Sequence, residues 1–429
     1  MEATINNKMA IRKKTLTLLS ISLFFLVLDR QWGFFYSNTV FASNLLFYSA
    51  LILLATFFSI VGVRYSFGRW SRLSGIWAPY MIYTIMGCLF QLYFQYFIYW
   101  FCCLVMVLIA ERSSFIKALP LKLLLYGGVF ALIGVYFQLC YASYYNAYIS
   151  PLFIQKETIS LWTEGFGMNG FTYQLGMTST ILLYGEITLL CFHGSNIFRN
   201  KKKQLFYYIL LILFVVGVFL TGKRVASLLA LILPFMVYFI SNKNKIGKYI
   251  AIIFSVFFLY YMFSLFVDNI SGLEDSRLFH RFANSYIEMQ TGGDITSGRT
   301  YYYDLAYKAF EEHPILGVGV GGFISYTGAD TDVHNTYLQV LCEQGIIGFV
   351  FYLIPIIYCL LYTIRLFPNV QNMEHYRYLK MSLAIQLTYI FSGLTGNENI
   401  GFGFIIYFIA IATLIYVDSA RRQIMIRVK

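Results

Sequence analysis

His334, Asn335, Arg224 and Arg299 are the residues whose types and neighbours could do chemistry. A guanidinium is permanently charged and presents a rigid fork of donors, which suits it to holding an anion that forms as a bond breaks. Arg224 follows Lys223 at a corner between two apolar stretches, and Arg299 stands in the long polar stretch that runs from Asp268 to about Gly345. Histidine is the side chain best poised to accept a proton near neutral pH, which makes His334 the candidate base. Asn335 beside it either orients the imidazole or a reacting hydroxyl, or caps the helix that begins there. Glu343 lies nine residues after His334, roughly two and a half helical turns, so the two could share a helix without touching through it. Its expected role is structural or orienting. His280 and His313 lack such a setting.

These groups are few in a chain of 429 residues that is 59% apolar and only 12% charged, with a mean hydropathy of +0.65. So little polar surface excludes a soluble globule and makes the bilayer the solvent. The net charge of +12 does not point to nucleic acid, because the basic residues are scattered between apolar stretches instead of gathered on one folded surface. Seven cysteines fall almost entirely inside apolar runs, with neither CxxC spacing nor a Cys/His cluster. A disulfide framework, a metal site and a cofactor are therefore not expected.

What positions the polar residues is a series of apolar runs. The hydropathy pattern predicts an all-α polytopic membrane protein of about twelve transmembrane helices, near 15–29, 45–63, 75–91, 93–110, 121–141, 173–192, 205–221, 224–241, 248–267, 346–364, 379–396 and 401–417. Residues 1–267 then hold helices one to nine, 268–345 a large extracytoplasmic loop, and 346–429 the last three helices. The run 75–110 has no polar break and could instead form one long tilted helix. The first run lacks a small-residue cleavage site and reads as an anchor. Glu186, inside the sixth run, has no evident partner and is assigned no role.

Sorting the cations fixes an expected orientation. With both termini cytoplasmic, all but eight of the 32 Lys and Arg flank spans on the cytoplasmic side, and most of the 20 acidic residues lie on the other. The eight outward cations are Arg30, Lys156, Lys223, Arg224, Arg277, Arg281, Arg299 and Lys308. Most of them gather at the Lys223/Arg224 corner and in the long loop. A solvated loop with balancing acids would account for Arg277, Arg281 and Lys308.

A loop of this length between packed helices usually carries function. Residues 300–312 place Tyr303, Ala306, Tyr307 and Phe310 at helical spacing, which predicts an amphipathic helix against the membrane or the bundle mouth. His313-Pro314 ends it. Gly317, Gly319 and Gly322 match a dinucleotide fingerprint, but the strand and helix that would give it meaning are absent; the glycines instead let the backbone turn and approach a neighbour closely. Residues 334–349 are then expected to run as one helix into the next span. The abundant Tyr and Trp are expected mostly at the membrane interfaces and Phe on lipid-facing surface.

The order Ser297-Gly298-Arg299, Ala306 and Phe310, Pro314-Ile-Leu-Gly317-Val-Gly319, His334-Asn335-x-Tyr337-Leu338, and Glu343-x-Gly345-x-x-Gly348 resembles the loop signature of the O-antigen ligase and Wzy-type polysaccharide polymerase family. Thr221-Gly222-Lys223-Arg224 resembles that family's Thr-x-Ser-Arg corner, with Lys223 in place of the usual Ser. The loop match covers about 50 residues; elsewhere the likeness is one of span number and hydropathy.

The resemblance implies a metal-independent glycosyltransferase in a GT-C-like helical bundle of the inner (cytoplasmic) membrane. Its donor would be a glycan on undecaprenyl pyrophosphate, used on the extracytoplasmic side. His334 would be the catalytic residue, Arg224 and Arg299 would bind the pyrophosphate, and Lys223, Asn335 and Glu343 would support them. The reading preferred from residues 334–349 is a polymerase that moves the growing glycan onto a lipid-linked repeat unit. A ligase with the same chemistry and another acceptor is the alternative. A chain-length regulator and a flippase are the partners such a polymerase implies. A lipid-linked oligosaccharide flippase or other transporter is a distant third, because no internal repeat is present and His and Arg concentrate in one loop.

Overall fold

The computed structural model describes residues 72–92, 97, 100–101, 122–152, 167–172, 175–193, 201–241, 298–397, 403–404, 406–411, 413–414 and 417. The runs expected at 15–29, 45–63 and 248–267 and the loop residues 268–297 lie outside them. Every element among the described residues is helical: α1 (Arg72–Phe90), α2 (Lys122–Cys140), α3 (Leu175–Thr188), α4 (Lys201–Leu220), α5 (Arg224–Ser241), α6 (Arg299–Glu312), α7 (Phe323–Thr327), α8 (Thr336–Leu366) and α9 (Met373–Ser392). By length and composition α4 and the helix Thr336–Asn369 can each cross a membrane; Leu124–Cys140 with Ala142–Ile149 passes the same test as a pair bent by 102°. The described residues divide into two compact units, one formed by 122–241 and the other by 72–101 with 298–417.

In the first unit, α2 and α3 pack closely through small residues. A Cβ on Gly128 would run into Gly185 and the Phe214 ring of α4, so the two glycines let the backbones meet. Glu186 follows directly and is buried, and neither carboxylate oxygen has a hydrogen-bond partner among the described residues.

The second unit is built on α8. Its apolar part after Gly345 is 21 residues long, roughly 30 Å and thus the thickness of a hydrocarbon core. α9 returns antiparallel beside it after the Phe367–Asn369 turn, started by Asn372, whose side chain accepts from the Glu374 N–H at 2.8 Å. The core is aromatic. Trp77 meets Phe408 edge-on at 4.9 Å and Tyr352 at 6.5 Å; Trp100 meets Tyr80 at 5.4 Å and Phe404 at 5.0 Å; and the Tyr352 and Tyr389 hydroxyls pair at 2.6 Å. Sequence had placed Trp and Tyr mostly at interfaces. Here these rings lie inside, because edge-to-face packing among large rings fills the space between α1, α8, α9 and the residues around 404–408.

The run 75–110 is not one continuous helix. α1 stops at Phe90, the Leu92 N–H closes a turn onto the Leu89 carbonyl, and Leu92 has a left-handed φ of 58°. In this unit the cations Arg365, Arg377 and Lys380 flank the turn between α8 and α9, while residues 313–335 and 393–397 lie at the opposite end of that helix pair.

Candidate active site

α6 is the helix expected over 300–312; Tyr303, Ala306 and Phe310 of the expected face do pack inward, joined by Ala309, and Tyr307 does not. Ala306 and Ala309 are buried against Phe323, Ala329, Val333 and Cys342, flanked by Tyr302, Tyr303, Leu305 and Phe310, while Tyr307 points out. Two alanines let α6 approach α7 and the start of α8 more closely than Tyr307 would allow. Tyr302 adds a tie by donating to Asp330 Oδ1 at 2.6 Å.

Residues 334–349 do not form one helix. Gly345 adopts φ 63°, ψ −169°, open only to glycine, and breaks α8 before the apolar run begins. A break strands backbone groups, and here five of them have partners outside α8. The Cys342 and Glu343 carbonyls accept from the Val318 and Gly319 N–H groups at 2.9 and 2.8 Å, and the Gln344 carbonyl from the Tyr83 hydroxyl at 3.0 Å. The Ile346 and Ile347 N–H groups donate to the Pro314 and Ile315 carbonyls at 2.9 and 3.4 Å. The glycine-rich stretch is thus the plug of a helix break. Gly317, with φ 71°, lies so close that a Cβ there would strike the Glu343 and Gln344 backbone.

Glu343 sits before the break, outside the apolar span, and is buried. It accepts from Gln339 Nε2 at 3.1 Å, and Gln339 also donates to Asp332 at 3.3 Å. Burial pushes the Glu343 carboxyl up to about 7 from its ordinary 4.5; the bond from Gln339 favours the charge, and Asp332 opposes it. Ionising Glu343 therefore costs folded stability, a cost that enters above pH 4.5 and is complete above about 7. Glu343→Gln keeps an acceptor for the Gln339 amide and removes this titration. Its thermal midpoint in detergent is expected to stay level between those pH values where the wild-type midpoint declines, and parallel curves would show that Glu343 is not the titrating group.

His334 stands outside α8. Asn335 is the N-cap, its side-chain oxygen accepting from the Tyr337 and Leu338 N–H groups at 3.0 and 3.2 Å. Of the roles weighed for Asn335, the cap is the one the geometry displays. His334 takes a left-handed φ of 56°, one of two non-glycine residues to do so among those described, and is half-buried with Nε2 3.4 Å from Thr331 Oγ1. Residues held in this region cluster where surroundings over-determine the backbone, as at functional sites.

One corner fixes both Thr336, two residues after His334, and Arg299. The Thr336 N–H donates to the Gly393 and Gly396 carbonyls at 2.8 and 3.0 Å, and its hydroxyl to Gly396 at 2.7 Å. Arg299 Nη1 donates to the Thr395 carbonyl at 3.0 Å. The 393–397 turn thereby brings the start of α6 beside the start of α8.

Arg224 and Lys223 lie in the first unit. Thr221 and Gly222 close the end of α4 through N–H bonds to Val218 and Phe219, Gly222 at φ 66°, and α5 begins at Arg224. The 167–172 loop braces the corner: the Met168 N–H donates to the Leu220 carbonyl at 2.8 Å, and the loop is itself pinned by Gln138, which accepts from the Gly170 N–H at 2.8 Å. Lys223 runs over Gly176. Arg224 and Arg299 share a setting. Each is the first residue of a helix with no acid in its first turn, so the guanidinium adds to the positive end of a helix dipole.

Sequence reading missed Thr331, Asp332, Gln339 and the 393–397 turn. Gln339 was within reach, since it precedes Glu343 by one helical turn on the same face. The turn was not, because nothing local to it announces a partner some 60 residues away.

Residues 209–353, about a third of the chain, match the Wzy_C family model, described as O-antigen ligase. The match contains both the Lys223/Arg224 corner and the loop signature through Gly348. No curated protein matches the chain.

Proposed function

We propose, taking the O-antigen ligase family match over residues 209–353 as premise, that this chain is a polysaccharide polymerase of the Wzy type. It transfers a glycan from an undecaprenyl-pyrophosphate donor to a lipid-linked repeat unit at the outer face of the cytoplasmic membrane. Supporting this is His334, held in a left-handed backbone beside the corner that also anchors Arg299. In the reaction an acceptor hydroxyl attacks the anomeric carbon, the bond from that carbon to the phosphate oxygen breaks, and the hydroxyl proton passes to His334. The electron pair leaves with the pyrophosphate. Arg224 and Arg299, each at a helix start, are assigned residue by residue to that anion, with Lys223 in support.

The twelve-span topology with cytoplasmic termini and an outward loop is part of this proposal. Its support is the separation, within one unit, of the His334 end of α8 from the end that carries Arg365, Arg377 and Lys380. A ligase is the second reading, favoured by the family description itself. Deleting the gene separates the two. A polymerase deletion leaves single repeat units on carrier or core, whereas a ligase deletion accumulates long chains on the carrier lipid, and that second pattern would replace the first reading.

A further inference from the structure

We propose that the turn at Pro314, Ile315 and Leu316 is a membrane-inserted tip, with Ile315 and Leu316 seated among the acyl chains of the leaflet on the loop side. The inference rests on α8 being a span and not on the reaction proposed above.

Ile315 and Leu316 are 61% and 62% exposed, yet they belong to an ordered turn, closed by the Gly317 N–H donating to the His313 carbonyl at 3.0 Å. Two exposed branched aliphatics on a fixed turn need a non-aqueous neighbour. Their position names it. Through the Pro314 and Ile315 carbonyls the turn is bonded to Ile346 and Ile347. From there an exposed apolar row descends α8 at spacings of three and four: Ile346, Val350, Ile354, Ile357, Leu361 and Ile364. That row lies on a helix long and apolar enough to cross a membrane, so it is the lipid-facing side. The tip continues that row past the Gly345 break. Residues 314–322 carry no charge, whereas Glu311, Glu312 and His313 stand immediately before them, as at a boundary between water and hydrocarbon. Because the same turn plugs the helix break, insertion would set the height of the His334 loop against the membrane surface.

The test places the photo-crosslinker p-benzoylphenylalanine at Leu316, and in parallel at Ile315 should one variant fold poorly, in the full chain reconstituted in phosphatidylethanolamine and phosphatidylglycerol vesicles without polyprenyl lipid. Ile354 is the in-membrane reference and the exposed Glu311 the aqueous one. Lipid adducts at the tip matching those at Ile354, with none at Glu311, are expected. Adducts at Ile354 but not at the tip, or chain-to-chain crosslinks from the tip, would overturn the proposal; the latter would make the turn a contact between copies. Adducts that form only once a polyprenyl pyrophosphate is added would also overturn it, in favour of the donor's own tail.

Discussion

His334→Asn is expected to reach the membrane at wild-type level and to stop glycan extension, with a rate loss of roughly 10²- to 10⁴-fold, the usual contribution of a positioned general base. Asparagine is the informative replacement. It tolerates the left-handed backbone that His334 occupies at φ 56°, so the loss reports the imidazole and not a strained loop. His334→Ala keeps the strain and should be both inactive and less stable. His334→Gly relieves it, by about 1–2 kcal/mol, and should be at least as stable as wild type yet equally inactive. Chain-length distribution in a deletion strain and thermal midpoint in detergent read the two effects separately. Wild-type chain lengths from His334→Asn would remove His334 from the chemistry.

Arg224→Lys and Arg299→Lys should each slow transfer by roughly 10²- to 10³-fold, the scale set by removing one aligned donor to a developing anion. Lysine keeps the charge at the helix start and loses the fork, so a full charge with little activity would show that donor geometry is what counts. Arg299 also holds the Thr395 carbonyl through Nη1, and shortening it leaves that group to find another donor, so Arg299→Lys should also lower the thermal midpoint. Near-normal chains from either lysine variant would mean that the residue steers the donor by charge alone.

Much of this chain was legible from local pattern. Hydropathy placed α1, α2, α4 and α5 within a few residues, because a run of apolar side chains in a bilayer must satisfy its own backbone and does so as a helix. The helix over 300–312, its end at His313 and the N-cap at Asn335 were likewise readable, since each depends on neighbours within a turn. The signature residues read from Thr221 to Gly348 all lie inside the stretch that matches the O-antigen ligase family.

Tertiary structure decided what depends on distant partners. A glycine just before an apolar run looks like any tolerated helix glycine, and only the backbone of 314–319 and the Tyr83 hydroxyl make a break at Gly345 affordable. The inward face of α6 was set by how closely Ala306 and Ala309 could approach the Phe323 core, which no spacing rule along α6 contains. The start of α8, two residues past His334, and the start of α6 at Arg299 are tied to the same 393–397 turn, which accepts from Thr336 and from Arg299. Composition and period thus determined which segments are helices and which side chains can do chemistry; where those side chains stand was determined by backbone groups that had to find partners far along the chain.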